Sequence, residues 1–335
     1  MPTLVHMLVD KSAEMLWIDS IEADQRGDRE KALALAEEVV AVDGEHSDAW
    51  MAVAEWGLPT DSRGRPLMPD LAQSSKSMSA VKKVVSLDPQ NEQAWRLGGE
   101  IMVSHLGMLE HGLHWWEERK EASPNDVVPY FEQAGILIRL GCFDEAEECL
   151  NSLDDLVSKQ PSKSLESRSQ RLRLIFEEQL SLEKEVSFSP ENSKDESWGL
   201  ISRMRKKKPI SETYFLLMFV MPIVFLLGTL VMMFLGGTRY GTGIVMVFII
   251  LLYFWIARIS RRLLLKLNRP EAFLNRALDV ESTSGKVCIP EDVRSSKLYS
   301  YVIGKRLPSF QQRIELIEKS SEALPSKWSP TVPVF

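Results

Sequence analysis

TYFLLMFVMPIVFLLGTLVMMFL, Thr213 to Leu235, is a run of 23 residues without a charged side chain, and IVMVFIILLYFWIA, Ile244 to Ala257, is a second run of 14. At roughly 1.5 Å of rise per residue the first is about 34 Å long as a helix, enough to cross a hydrocarbon core of about 30 Å. The second, extended back to Gly241, reaches about 17 residues, the short end of the spanning range. Gly236-Gly237 and Gly241 with Gly243 most simply make a tight turn between the runs, although the spacing of Gly237 and Gly241 also suits close helix pairing. Residues 213–257 therefore read as a transmembrane hairpin of two helices.

Working outward, basic side chains crowd both ends of this hairpin. Arg203, Arg205, Lys206, Lys207 and Lys208 precede it, and Arg258, Arg261, Arg262, Lys266 and Arg269 follow it, while the turn carries only Arg239. The positive-inside bias puts both flanks on the cytoplasmic side, so two crossings leave both termini there. The same cations attract anionic membrane lipids at roughly 1 kcal/mol each, but setting the topology is enough to explain them. Tyr214, Tyr240, Tyr253 and Trp255 lie near the ends of the spans, where amphipathic rings suit the headgroup level, and Pro222 is placed to bend the first span. Transporters and channels place charged groups inside their bundles; two spans lacking them argue for an anchor.

Charge divides the chain. Residues 1–160 hold 14 Lys and Arg against 30 Asp and Glu, a net of −16, and the remaining 175 hold 26 against 17, a net of +9. An acidic first half argues against nucleic acid as a partner, because phosphate binding needs clustered cations on an exposed face. The three cysteines, Cys142, Cys149 and Cys288, lack the spacing of a zinc site and read as reduced thiols in packing roles. His105, His111 and His114 fit no ligand signature either, so no metal and no cofactor is expected. The first 20 residues lack a basic start, a long apolar core and a small-residue cleavage site, so no cleaved signal peptide is expected.

From Ala13 the sequence repeats at about 34 residues. Leu16, Trp50, Trp95 and Tyr130 recur at spacings of 34, 45 and 35. Gly27-Asp28 separates two helical stretches of the first unit, with Ala32, Ala36 and Val39 on one face and Asp43-Gly44 at its close. Leu87-Asp88-Pro89 and Ser123-Pro124 close the second and third units, and the fourth runs from Val127 and Tyr130 through Ala134, Gly141 and Ala146. A lone helix pair cannot cover its apolar face, so such units bury it against one another.

This pattern resembles the tetratricopeptide repeat family over roughly Ala13 to Val157: an early aromatic, small residues at helix crossings, Gly at the turn, Ala in the second helix and a closing Pro. There are departures. The first repeat closes with Gly44 where Pro is usual, the third carries an extra residue around Gly107, and the second holds about 11 extra residues between Leu58 and Asp70. Three prolines there exclude continuous helix, and the loop is either a partner contact or a tolerated surface insertion. The resemblance implies a groove lined by the first helix of each repeat, with Trp17, Ile21, Met51, Glu55, Arg96, Glu100, Phe131 and Ile138 toward it. The alternative for Trp17, Phe131 and Ile138 is plain core. The subclass that clamps a C-terminal carboxylate uses Lys, Arg and Asn, and here only Arg96 is basic, so that specificity does not carry over.

Lys163 to Glu185 reads as a helix capping the last repeat, and Phe188 to Lys194 as a linker. After the hairpin, Arg258 to Leu267 continues as an amphipathic helix suited to the interface. Asn268 caps a helix carrying Phe273, Leu274, Ala277 and Leu278, another starts at Pro290, and the last runs from Ser309 to Glu322, together forming a cap or an interaction arm. The tail from Pro325 is either an extended docking peptide or disordered.

The expected organisation is thus all-α: a cytoplasmic solenoid with its capping helix (1–187), a linker and basic segment (188–212), two transmembrane helices (213–257) and a cytoplasmic helical region (258–335). No nucleophile elbow, phosphate loop or dinucleotide fingerprint is present, and no enzymatic activity is expected. Two functions fit: a membrane-anchored adaptor or assembly factor that recruits a protein partner through its groove, or a permanent structural subunit of a larger membrane complex held by its hairpin.

Overall fold

The computed structural model describes residues 12–61, 63–160, 162–235 and 241–334. The turn residues Gly236, Gly237, Arg239 and Tyr240, the first eleven residues of the stretch read for a signal peptide, Ser62 of the inserted loop and the terminal Phe335 lie outside them. The protein is all-α; among the described residues there is no strand, only isolated bridges such as Thr60 with Pro66.

The first eight helices pair as hairpins: α1 (Ala13–Gln25) with α2 (Arg29–Val42), α3 (Ser47–Trp56) with α4 (Leu71–Leu87), α5 (Glu92–Glu100) with α6 (Leu109–Ala122), and α7 (Val128–Leu140) with α8 (Phe143–Lys159). These hairpins are consistent with tetratricopeptide-like repeats. Side-chain caps set the helix starts: Ser12, Asp28, His46 and Asn91 each accept a backbone N–H three residues on, and Asp70 with Gln73 closes a capping box. Each cap satisfies a donor that the helix cannot, contributing about 1 kcal/mol. The recurring aromatics have a second role. Trp50 donates its indole N–H to the Gly44 carbonyl at 3.0 Å and Trp95 donates to Pro89 at 2.8 Å, so the same reach of six residues ties each start to the turn before it. Ala32, Ala36, Ala49, Ala94, Ala134 and Ala146 are fully buried where helices come close.

The extra residue of the third repeat has a defined place. After α5 the helix widens into a π-helical turn, Ile101–His105, with the Leu106 N–H reaching back five residues to Ile101, and the chain then reverses at Gly107 with φ +65°. The carbonyls left at this end are taken by hydroxyls from far along the chain. Ser309 Oγ donates to the His105 carbonyl at 2.9 Å, and Ser282 Oγ and Thr283 Oγ1 donate to that of Gly107 at 2.8 and 3.3 Å.

One compact unit accordingly holds the described residues of Met1–Gln179, Asp279–Cys288 and Gly304–Phe335. In it α17 (Pro308–Ser320) buries Phe310, Ile314 and Ile317 at helical spacing and packs on α4 and the π-helical turn. Burying a side chain of this size contributes about 1.5–3 kcal/mol. Asp279, 3% exposed, accepts from Arg139 Nε and Nη2 at 3.1 and 2.8 Å and pairs with Arg306 at 3.0 Å. The Val287 N–H donates to the Glu322 carbonyl and the Leu324 N–H donates to that of Val287, which pins the start of the tail. Beyond it the described tail has neither helix nor strand, turns once where the Trp328 N–H donates to the Pro325 carbonyl at 3.0 Å, and leaves Val334 94% exposed.

The second unit holds Leu180–Leu278 and Ile289–Ile303. Its core sets the Phe188 ring between Trp198 of α10 (Ser197–Met204) and Phe273, with centroids at 5.1 and 4.8 Å. Glu183 pairs with Arg276, and Glu185 pairs with Lys266 and Arg269, which hold its carboxyl below the usual range. The apolar helices α12 (Met221–Leu235) and α13 (Gly241–Leu267) pack on each other, with Gly228 of the first so close to the Ile249 side chain of the second that a Cβ there would meet it at 2.9 Å. With the residues before them they give two helices, Glu212–Phe234 and Gly243–Leu267, long and apolar enough to span a membrane. Only 22% and 6% of their most apolar windows are buried, unlike the core helix of a globular protein. At their base the Asn268 amide donates to the Ile210 carbonyl at 2.8 Å, and its Oδ1 accepts the Ile210 N–H at 3.0 Å.

Candidate functional site

A cleft of about 380 Å³ opens on the face made by the first helices of the third and fourth repeats. Arg96, Gly99 and Glu100 line it from α5, Val103 and Ser104 from the π-helical turn, and Val128 and Glu132 from α7; Trp116 of α6 and Arg168 of the capping helix α9 (Lys163–Glu185) complete it.

The Gly98-Gly99 pair makes room for two tryptophans, since a Cβ at Gly99 would overlap the Trp116 ring. Trp115, its ring 4.4 Å from that of Trp95, donates its indole N–H to the Trp95 carbonyl at 2.9 Å. The Trp116 N–H is buried and has no acceptor among the described residues, in a side chain that is 3% exposed. Buried donors of this kind are rare because each lost hydrogen bond costs about 1–3 kcal/mol.

Both arginines of the lining are already engaged. Arg168 pairs with Glu132 at 2.9 Å and lays its guanidinium over the Phe131 ring at 4.4 Å, and Arg96 pairs with Glu92. Glu100 is exposed and has no hydrogen bond or ion pair among the described residues. Its charge is felt by His105, whose imidazole burial holds below the usual value and Glu100 pulls back up. Around the cleft, then, three carboxylates face two guanidiniums, and the carboxylate left over belongs to Glu100.

The eight groove residues read from the sequence divide by position. Arg96 and Glu100 line the cleft, and Phe131 is buried beneath Arg168. Met51 and Ile138 are buried. Trp17 and Ile21 are half-buried on α1, with Trp17 stacked 6.3 Å from Trp56, and half-buried Glu55 accepts a hydrogen bond from Gln93. The sequence reading missed Trp116, Glu132 and Arg168. A double glycine inside a helix is a signal for the first, because it marks a close approach by a large side chain. Nothing local marks Arg168, which lies on the capping helix.

The basic residues Arg203, Arg205, Lys206, Lys207, Lys208, Arg258, Arg261 and Arg262 are all exposed, with the Lys208 ammonium 6.0 Å over the Tyr301 ring. Cys149 is buried, and burial pushes its thiol up to about 12. Among the described residues no group of three His, Cys, Asp or Glu side chains is placed to hold a metal ion.

No family model matches the chain, and no curated protein matches it. Solved structures do. One of 24 matching chains, described as "MamA RS-1 ArsTM double mutant", is 16% identical, and the match covers 50% of this chain and 97% of that one at a TM-score of 0.34.

Proposed function

We propose that this protein is a membrane-anchored interaction adaptor or assembly factor without catalytic chemistry of its own, which recruits a protein partner through the first-helix face of its repeats. The observation that carries the reading is the cleft, where the unpaired carboxylate of Glu100 lines the same opening as Trp116, whose buried indole N–H has no acceptor among the described residues. The hairpin anchors the protein in the bilayer. Two crossings are supported by bonds within the repeat unit, because Arg139, His105 and Gly107 precede the apolar helices, and their partners Asp279, Ser309 and Ser282 follow. A bilayer could not lie between them. The exposed cations beside both ends support the cytoplasmic side.

The test is affinity purification of the full-length protein in mild detergent, with mass spectrometry of what accompanies it, beside a variant carrying Arg96→Glu and Glu55→Lys. A partner lost from the variant supports recruitment through this face. A partner kept by both proteins through high-salt washes would favour a permanent subunit held by the hairpin.

A further inference from the structure

We infer that the cleft takes a protein segment bearing a Lys or Arg side chain, which meets Glu100 while a backbone carbonyl of the same segment accepts the Trp116 indole N–H. The inference rests on the adaptor reading of this cleft and gives its partner a charge. Three features converge on it. The cations of the lining are matched, Arg168 by Glu132 and Arg96 by Glu92, so the site does not favour an anionic group. Glu100 lines the opening with its carboxylate unpaired, and a cation there gains a charge-assisted contact without displacing an existing one. Trp116 lines the same opening and supplies a buried donor lacking an acceptor, a need that a peptide carbonyl fills and a small cation does not. The net charge of −16 over residues 1–160 steers basic segments toward this half of the chain.

The probe is a displayed library of random peptides of about 12 residues, each residue adding roughly 3.3 Å when extended. It is selected on the full-length protein in detergent micelles. We expect the enriched peptides to share Lys or Arg at one position. Glu100→Gln should weaken them about tenfold, the usual scale for losing a charged hydrogen-bond partner, and Glu100→Lys should instead select Asp or Glu there. Trp116→Phe, which keeps an aromatic side chain but replaces the indole by a smaller ring without the donor, should weaken the same peptides about fivefold. Glu100 is exposed, so its variants should melt like the parent. Enriched peptides without a fixed basic residue, or ones that bind Glu100→Lys as tightly, would overturn this inference and leave the adaptor reading in place. If no peptide enriches over empty micelles, the adaptor reading fails and takes the inference with it.

Discussion

Asp279→Ala should release the C-terminal helix α17 from the repeats. Asp279 is 3% exposed and accepts from two arginines, Arg139 through two hydrogen bonds and Arg306 through an ion pair of 3.0 Å. Burial alone would lower the pKa of Arg139; the charge and hydrogen bond of Asp279 outweigh it and raise the value. Without the carboxylate, the Arg139 guanidinium remains packed and loses its counter-charge. Removing one partner of a fully buried pair costs about 3–5 kcal/mol. The arginine side chains here are 30% and 20% exposed, and solvent screens part of their charge, so the low end of about 3 kcal/mol applies. At 1.4 kcal/mol per factor of ten, the detached state becomes roughly 100-fold more populated. Hydrogen exchange followed by mass spectrometry reads this directly: amides of Pro308–Ser320 in the full-length protein should exchange about 100-fold faster, while those of α1 and α2 keep their protection. Replacing all three residues by apolar ones of similar size should restore much of it. Protection of α17 unchanged within about threefold, or lost equally in α1 and α2, would refute the reasoning.

Three further outcomes follow from the geometry. Gly107→Ala places a Cβ into the Phe310 ring at a positive φ and should cost about 2–4 kcal/mol in denaturant unfolding. Gly27→Ala, also at positive φ but with open space around it, should cost only about 1 kcal/mol; equal losses would refute the crowding argument. Burial holds the His105 imidazole below its usual value, so the folded protein refuses a proton that the unfolded chain accepts below about pH 6.5. Stability should therefore fall as pH drops through about 6.5 toward the lower folded value, and the gap between thermal midpoints at about pH 7.5 and 5.5 should narrow in His105→Gln, with His111, also held low by burial, keeping its share. A variant with the parent's full pH dependence would exclude His105 as its source. Because Ile210 and Asn268 are bonded to each other, replacing the chain between Glu212 and Leu267 by a short Gly-Ser linker should give a soluble helical protein by circular dichroism. Aggregation of that protein in the absence of detergent would count against the two-unit division.

Local chemistry made much of this legible. The repeats could be read because each unit needs the same small set of residues at its crossings, and the apolar helices because no charge interrupts 23 residues. Arg96 and Glu100 could be placed toward the face of the repeats by counting along one helix. Their neighbours in the cleft could not: Trp116 comes from a second helix and Arg168 from the cap, and no periodicity links those positions to α5. Phe131 and Ile138 show the limit of counting, since a helix packed on both sides buries residues on the face that its sequence presents as open. Nor does the last helix name its docking surface, because Ser309 finds its acceptor 204 residues away. An apolar stripe tells that a helix is covered and is silent on what covers it.

The departures from the repeat pattern and the return of the chain explain one another. The second repeat departs by an insertion that ends at Asp70, and the next N–H, that of Leu71, is taken by Gln312 of α17 at 2.9 Å. The third departs by one residue, which the π-helical turn absorbs, and the carbonyls there are taken by Ser282, Thr283 and Ser309. A repeat that must only stack on its neighbours gains nothing from either irregularity and loses helix hydrogen bonds to both. One that must also receive a segment from the far end of the chain needs free backbone groups at its edge, and an insertion and a widened turn supply them. The repeat unit therefore closes only when residues on both sides of the apolar hairpin have come together. The two apolar helices are thus bracketed in sequence by segments that bond to each other within one folded unit, residues 105–107 on one side and 282–309 on the other.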